Sequence, residues 1–108
     1  MKRGAVVVVA LPEECGKARP VLVIQTDLFN PTHPTVTVLP LTTTIRHAAV
    51  YRLTVEPAND NGLREVSQIM VDKATTVLRE KAGPTIGSMD EATMQRVSRA
   101  LAVWLGLG

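Results

Sequence analysis

Glu14, Lys17 and Arg19 fall within six consecutive positions of a 108-residue chain, and Pro20 follows directly. A guanidinium stays protonated and its planar fork of donors matches phosphate oxygens, while a nearby carboxylate can take up a proton. Pro20 has a fixed φ and no N–H, and it confines the residue before it to extended geometry, so the backbone aims Arg19. A solvated loop uses the same residue types, so the pattern alone leaves chemistry and solvation both open.

A second group is Pro40-Leu41-Thr42-Thr43-Thr44, with Arg46 and His47 just after it. A strand ending in three hydroxyl residues offers small donors for phosphate oxygens at one sheet edge, and Arg46 adds charge. Threonine also favours strands, which accounts for the run without any ligand. The third group is Ser67-Gln68-Ile69-Met70-Val71-Asp72-Lys73. Alternation puts Ile69 and Val71 on one face and Gln68, Met70 and Asp72 on the other. Asp72 and Lys73 equally suit a strand-end charge pair.

Other chemistries are excluded. Neither His33 nor His47 has a partner at metal-ligand spacing, and no HExxH, Walker loop, dinucleotide fingerprint or GxSxG motif occurs. No metal and no cofactor is expected. Cys15 is the only cysteine, which rules out an intrachain disulfide, a cysteine-based zinc site and a CxxC redox pair, and suits a reducing cytoplasm. Lys17 stands near it, but no local base is paired with it for nucleophilic catalysis. Phe29, Tyr51 and Trp104 are the only aromatics, too few to stack a single strand on one face. Any nucleic-acid contact must therefore rest on charge and hydrogen bonds. A net charge of +2 is weak evidence for a polyanionic partner.

The elements that must position these groups fit one domain over residues 1–108, with 45% hydrophobic and 20% charged residues as in ordinary globular chains. Residues 4–11 are a short apolar run with four valines, which predicts a buried strand. The run imitates a secretion signal, but it is short for one, stops at Pro12-Glu13-Glu14 and lacks a small-residue cleavage site. No stretch approaches the roughly 20 apolar residues that span a bilayer, so no membrane role is expected. Residues 12–18 break the strand, residues 21–25 form a second, 27–34 a turn-rich loop and 35–41 a third. Residues 45–49 make another excursion, and 51–56 alternate in period two as a half-buried strand. Asn59-Asp60-Asn61-Gly62 is the strongest turn signal, after which 65–71 return as a fifth strand. Residues 75–78 fit a short strand or a helical turn.

Ser88-Met89-Asp90-Glu91 has the form of a capping box, and Met94, Val97, Leu101, Trp104 and Leu105 recur beyond it at helical spacing, with Trp104 read as core. Strands followed by one amphipathic helix predict a mainly β fold. It would be a small, strongly bent antiparallel sheet or partly open SH3-like barrel, closed by a C-terminal α-helix.

Taken in order, Gly-x-x-Arg-Pro at residues 16–20, the Val-Leu-Val-Ile strand, Phe29-Asn30, Thr-Val-Leu-Pro-Leu-Thr at 37–42, Gly62-Leu63 and Ser67-Gln68-x-x-x-Asp72-Lys73 form a recognisable series. With the closing helix, it resembles the MazF/PemK family of type II toxins over almost the whole chain. The resemblance implies the small barrel this family shares with the gyrase poison CcdB, a homodimer, and a cognate antitoxin with an acidic tail. It also implies metal-independent, sequence-specific cleavage of single-stranded RNA in the cytoplasm, leaving 2′,3′-cyclic phosphate and 5′-OH ends. Carried over residue by residue, the Arg of the Arg-Pro pair is Arg19, the Thr after Pro-Leu is Thr42, and the acid found before Arg-Pro in some members falls on Glu14. Lys17, Thr43, Arg46, Gln68, Asp72 and Lys73 are then expected to contact RNA. Some members carry an arginine two residues before the strand-end Asp, where this sequence has Met70.

In such a site Arg19 and Thr42 suit the crowded phosphate, and Glu14 or Asp72 suits the general base. Two other readings share the fold. One is a gyrase-binding protein without hydrolysis, its contacts on Trp104, Leu105 and Gly106, and the other is an inactive homologue that only binds an antitoxin.

Overall fold

An apolar run without alternation belongs where both faces of a strand are covered, and the first strand meets that condition. In a computed structural model that describes residues 1–11, 16–47 and 50–108, β1 spans Ala5–Ala10. Val6 packs with Leu22, Leu39, Ile69 and Val71 under the C-terminal helix. Val7 and Val9 point the other way, into a second cluster with Val21, Val23, Val36 and Val38 that Val77 and Ala82 cover. The split repeats along β2, Ala18–Val23, where Leu22 joins the first cluster and its neighbours Val21 and Val23 the second. Each fully buried side chain of this kind contributes about 2 kcal/mol.

The remaining strands are β3 at Thr35–Thr42, β4 at Arg52–Val55, β5 at Ser67–Met70, β6 at Thr75–Leu78 and β7 at Thr85–Ser88, and the helix α1 spans Glu91–Leu105. They form one strongly curled antiparallel sheet in the order β4-β5-β3-β2-β1-β7, with β6 added against β3. The bent sheet closed by a C-terminal helix is the architecture that the sequence predicts.

The curl originates in β3, which changes partner along its length. Its first half, Thr35 to Val38, pairs with β6, and Leu41 and Thr42 pair with β5. Pro40 falls between the two partners, where a residue lacking an N–H is tolerated.

Several expectations are corrected. Strand β2 begins at Ala18, so Arg19 and Pro20 are strand residues rather than the end of a loop. Residues 75–78 take the strand of their two expected alternatives, whereas β7 is an unexpected addition, only four residues long and with Thr85, Ile86 and Ser88 exposed. Of residues 45–49, the described part is irregular chain, and Ala48 and Ala49 lie outside the described residues.

The helix starts later than the Ser88 box implies. Ser88 is held in β7 opposite Ala5, and its N–H donates to the carbonyl of Asp60 at 2.7 Å. Asp90 is the N-cap instead, its Oδ1 accepting from the N–H of Thr93 at 2.7 Å. The buried stripe is Met94, Val97 and Ala100, with Leu101 partly covered. Trp104, read from its spacing as core, is 48% exposed near the C-terminal end of α1, which Gly106 caps in the left-handed conformation.

The Asn59–Gly62 turn is docked rather than free. Asn61 is buried, its Oδ1 accepting from the N–H groups of Ala58 and Leu63 and its Nδ2 donating to the carbonyl of Glu56. Gly87 lies flat against this turn, and a Cβ there would sit 2.6 Å from the carbonyl oxygens of both Asp60 and Asn61.

Candidate functional site

Register lines up the polar residues that the sequence singles out. Val9 of β1 stands opposite Arg19 of β2, Thr42 of β3 opposite Gln68 of β5, and Gln68 opposite Thr54 of β4. Between β2 and β3 the pairing ends at Val21 and Pro40, and Arg19 and Thr42 each lie two residues beyond that last pair, on its face. Directly paired residues in an antiparallel ladder share a face, so Thr42, Gln68 and Thr54 form one transverse row, with Arg19 beyond it on β2. Arg19 lies two residues from Val21 and so shares its face. The row therefore marks the line where the valine cluster ends and polar side chains begin.

These residues are committed to different degrees. Thr42 is half-buried, and its Oγ1 accepts from the N–H of Thr44 at 3.1 Å, which leaves the hydroxyl proton to be donated. Arg19 is half-buried, whereas Lys17, Thr43 and Arg46 are exposed around it. Gln68 is 3% exposed, and its Oε1 accepts from the N–H of Arg46 at 3.0 Å and from Arg52 Nη1 at 3.3 Å. Its Nε2 donates to the carbonyl of Arg46 at 2.9 Å and to Thr54 Oγ1 at 3.2 Å. With the amide used at both ends, Gln68 belongs to the site through the loop it holds.

Beyond β5, Asp72 and Lys73 lie in a 3-10 turn, with Lys73 Nζ 3.5 Å from Asp72 Oδ2. Lys73 is exposed, while Asp72 is mostly buried and its Oδ1 has no hydrogen-bond partner among the described residues. Ile69 and Val71 face the helix-side cluster, so the expected alternation of this stretch holds. Glu14 lies outside the described residues.

Sequence reading missed Arg52 and Thr54. Both occupy the polar positions of an alternating strand, a signal that marks a solvent face but does not give the register that sets them beside Gln68. Among the described residues, two carboxylates sit below their usual pKa range, Asp27 and Asp90, neither of them in the row. Asp27 is held there by the backbone N–H of Arg3 and the amide of Asn30, and Asp90 by the hydroxyl and backbone N–H of Thr93. Among the described residues no group of three or more His, Cys, Asp or Glu side chains could hold a metal ion, and no helix is long and apolar enough to cross a membrane.

Residues 2–105 match the family described as PemK-like, MazF-like toxin of type II toxin-antitoxin system. Over 92 residues the chain is 46% identical to a protein of Mycolicibacterium smegmatis named "Probable endoribonuclease MazF", covering 85% of this chain and 84% of that protein. It is 32% identical over 94 residues to endoribonuclease EndoA of Bacillus subtilis, covering 87% and 81%. The solved structure of an endoribonuclease in complex with its cognate antitoxin, from a mycobacterial species, superposes with a TM-score of 0.85 at 27% identity, covering 100% of this chain and 97% of that one.

Proposed function

The chain belongs to the PemK-like, MazF-like toxins of type II toxin-antitoxin systems, and from that premise we propose that it is an endoribonuclease cutting single-stranded RNA at defined sequences without a metal ion. The relatives named as endoribonucleases support the reaction class. The observation that supports the reading at residue level is that Arg19 and Thr42 share a face just beyond the last β2–β3 pair, next to the valine cluster.

Cleavage would proceed by attack of a ribose 2′-OH on the adjacent phosphorus. The P–O5′ bond breaks, leaving a 2′,3′-cyclic phosphate and a 5′-OH. The guanidinium of Arg19 stabilises the charge that gathers on the phosphate oxygens, and the hydroxyl of Thr42 donates to the same group. A carboxylate takes the 2′-OH proton, and the 5′-oxygen leaves with a proton returned to it. The uncommitted Oδ1 of Asp72 supports that residue as base alongside Glu14. Lys17, Thr43, Arg46 and Lys73, all exposed, would contact the RNA.

Two partners complete the proposal. One is a cognate antitoxin whose acidic tail covers the cations around the row, a reading supported by the relative solved with its own antitoxin. The other is a second copy of this chain, supported by the apolar end of α1, where Val103, Trp104, Leu105 and Leu107 are all exposed and Tyr51 packs on Trp104 with ring centroids 5.6 Å apart. The same surface is what gyrase binding would use, and the relatives favour RNA cleavage over it. The toxin would act in the cytoplasm, where messenger RNA is.

The test is incubation of the protein and of Arg19→Ala with a long unstructured RNA in excess EDTA, with fragment ends mapped. Discrete fragments ending in 2′,3′-cyclic phosphate, made by the parent and not by Arg19→Ala, are expected. An inactive parent on RNAs that contain every short sequence would overturn the reading, and so would an active Arg19→Ala.

A further inference from the structure

The loop that follows Thr42 has an unusual support. Among the described residues, no backbone-to-backbone hydrogen bond outside the strands involves residues 43–47. The loop is fastened by three side chains. Thr42 Oγ1 accepts from the N–H of Thr44, Arg52 Nη1 donates to the carbonyl of Thr44 at 2.9 Å, and Gln68 takes both the N–H and the carbonyl of Arg46. The amide thus pairs with Arg46 as a neighbouring strand would, leaving the Arg46 side chain exposed. Arg52 ties the arrangement together, since the same Nη1 also donates to Gln68 Oε1.

We propose that Gln68 is a positioning residue for substrate recognition: its buried amide fixes the 43–47 loop beside Thr42 and so decides which RNA sequence is cut, without touching the RNA. The proposal rests on the endoribonuclease reading above. A loop held by side chains at three points can be released without unfolding the sheet beneath it, because Ile69 and Leu41 keep β3 and β5 paired on the opposite face. Released, it would present Arg46 and its neighbours in many orientations. Binding and discrimination suffer while Arg19 and Thr42, anchored in strands, keep their geometry.

The experiment compares the parent with Gln68→Met, which conserves volume and removes all four hydrogen bonds, and with Gln68→Glu, which keeps the acceptor half and loses the donor half. Cleavage by the parent in EDTA tests the underlying reading by itself. For Gln68→Met, on an RNA carrying the parent's preferred site, KM is expected to rise about ten-fold with kcat within about three-fold of the parent. The map of fragment ends should broaden to sites the parent ignores, with Gln68→Glu intermediate. Amide exchange at Arg46 should quicken in both variants at unchanged melting temperature. Arg52→Lys, which loses the fork joining Gln68 to the Thr44 carbonyl, should shift KM and the map in the same direction and serves if Gln68→Met fails to fold. A fall in kcat at unchanged KM with the same map would overturn the proposal, as would variants that exchange, bind and cut like the parent.

Discussion

Thr42 at the end of β3 is paired with Gln68 of β5, so the hydroxyl proposed to face the scissile phosphate adjoins the amide that holds the next loop. On the proposed reading the two residues would divide the labour, Thr42 toward chemistry and Gln68 toward recognition. Thr42→Val keeps the branched shape that suits a strand but removes the donor and the acceptor for the Thr44 N–H. Its single-turnover rate at saturating RNA should fall about 100-fold, whereas Thr42→Ser should stay close to the parent.

Lys17 and Arg46 are exposed cations outside the row, and as phosphate contacts they differ from Arg19. Lys17→Ala and Arg46→Ala should each weaken RNA binding with little change in maximal rate. The slope of log affinity against log salt should become shallower by about 0.7 per contact removed, as for single strands. Binding titrations between low and moderate salt check this, and an unchanged slope removes the residue from the interface.

Much of this arrangement is legible in the amino-acid sequence, because it rests on local signals. Valine runs, the period-two strand at Arg52–Val55, the Asn-Gly turn and the helical recurrence of Met94 and Val97 each follow from packing and backbone preference within a few residues. Arg19 and Thr42 are identifiable for the same reason, each sitting next to a proline-containing signature. What is hidden is register. Nothing within β2 or β3 says that Arg19 and Thr42 come to lie on one face, and nothing near Arg52 or Thr54 points to Gln68. Strand β7 escapes notice because Gly87, which lets the strand approach Asn61 closely, breaks its apolar pattern. Trp104 misleads because helical spacing identifies a face but not how far along the helix that face is covered.

Gly87 and Asn61 couple the edge strand to the turn between β4 and β5. Any Cβ at Gly87 meets the Asp60 and Asn61 carbonyls, which are backbone and cannot swing aside. Gly87→Ala is therefore expected to destabilise the fold by about 2 kcal/mol, the usual scale for overpacking. Chemical denaturation of the variant checks the figure.

Asp27 and Asp90 both titrate below the ordinary carboxylate range when folded, through hydrogen bonds that are absent once the chain unfolds. Protonation then favours the unfolded chain. Their contribution is present in full above about pH 4 to 5 and is lost as the pH falls through the folded-state values. Melting temperature should drop on acidification below about pH 4, and Asp27→Asn, which cannot titrate, should flatten that drop by lowering the melting temperature near neutrality. An equally steep acid limb in Asp27→Asn combined with Asp90→Asn would assign the loss to other groups.

The end of α1 gives the sharpest test of assembly. Trp104 is 48% exposed and Leu105 59%, yet Ala100 and Val97, one and two turns earlier, are buried against the sheet. Substitution at an exposed position costs a monomer little, usually within about 0.5 kcal/mol. If a second copy covers this surface, Trp104→Lys instead buries a charge in an apolar contact and should shift the protein from dimer to monomer in sedimentation. Stability would then become dependent on protein concentration in the parent and independent of it in the variant, by mass action. A parent that sediments as a monomer at micromolar concentration would refute the dimer. A Trp104→Lys variant that stays dimeric would move the interface elsewhere and leave the exposed helix end to another partner.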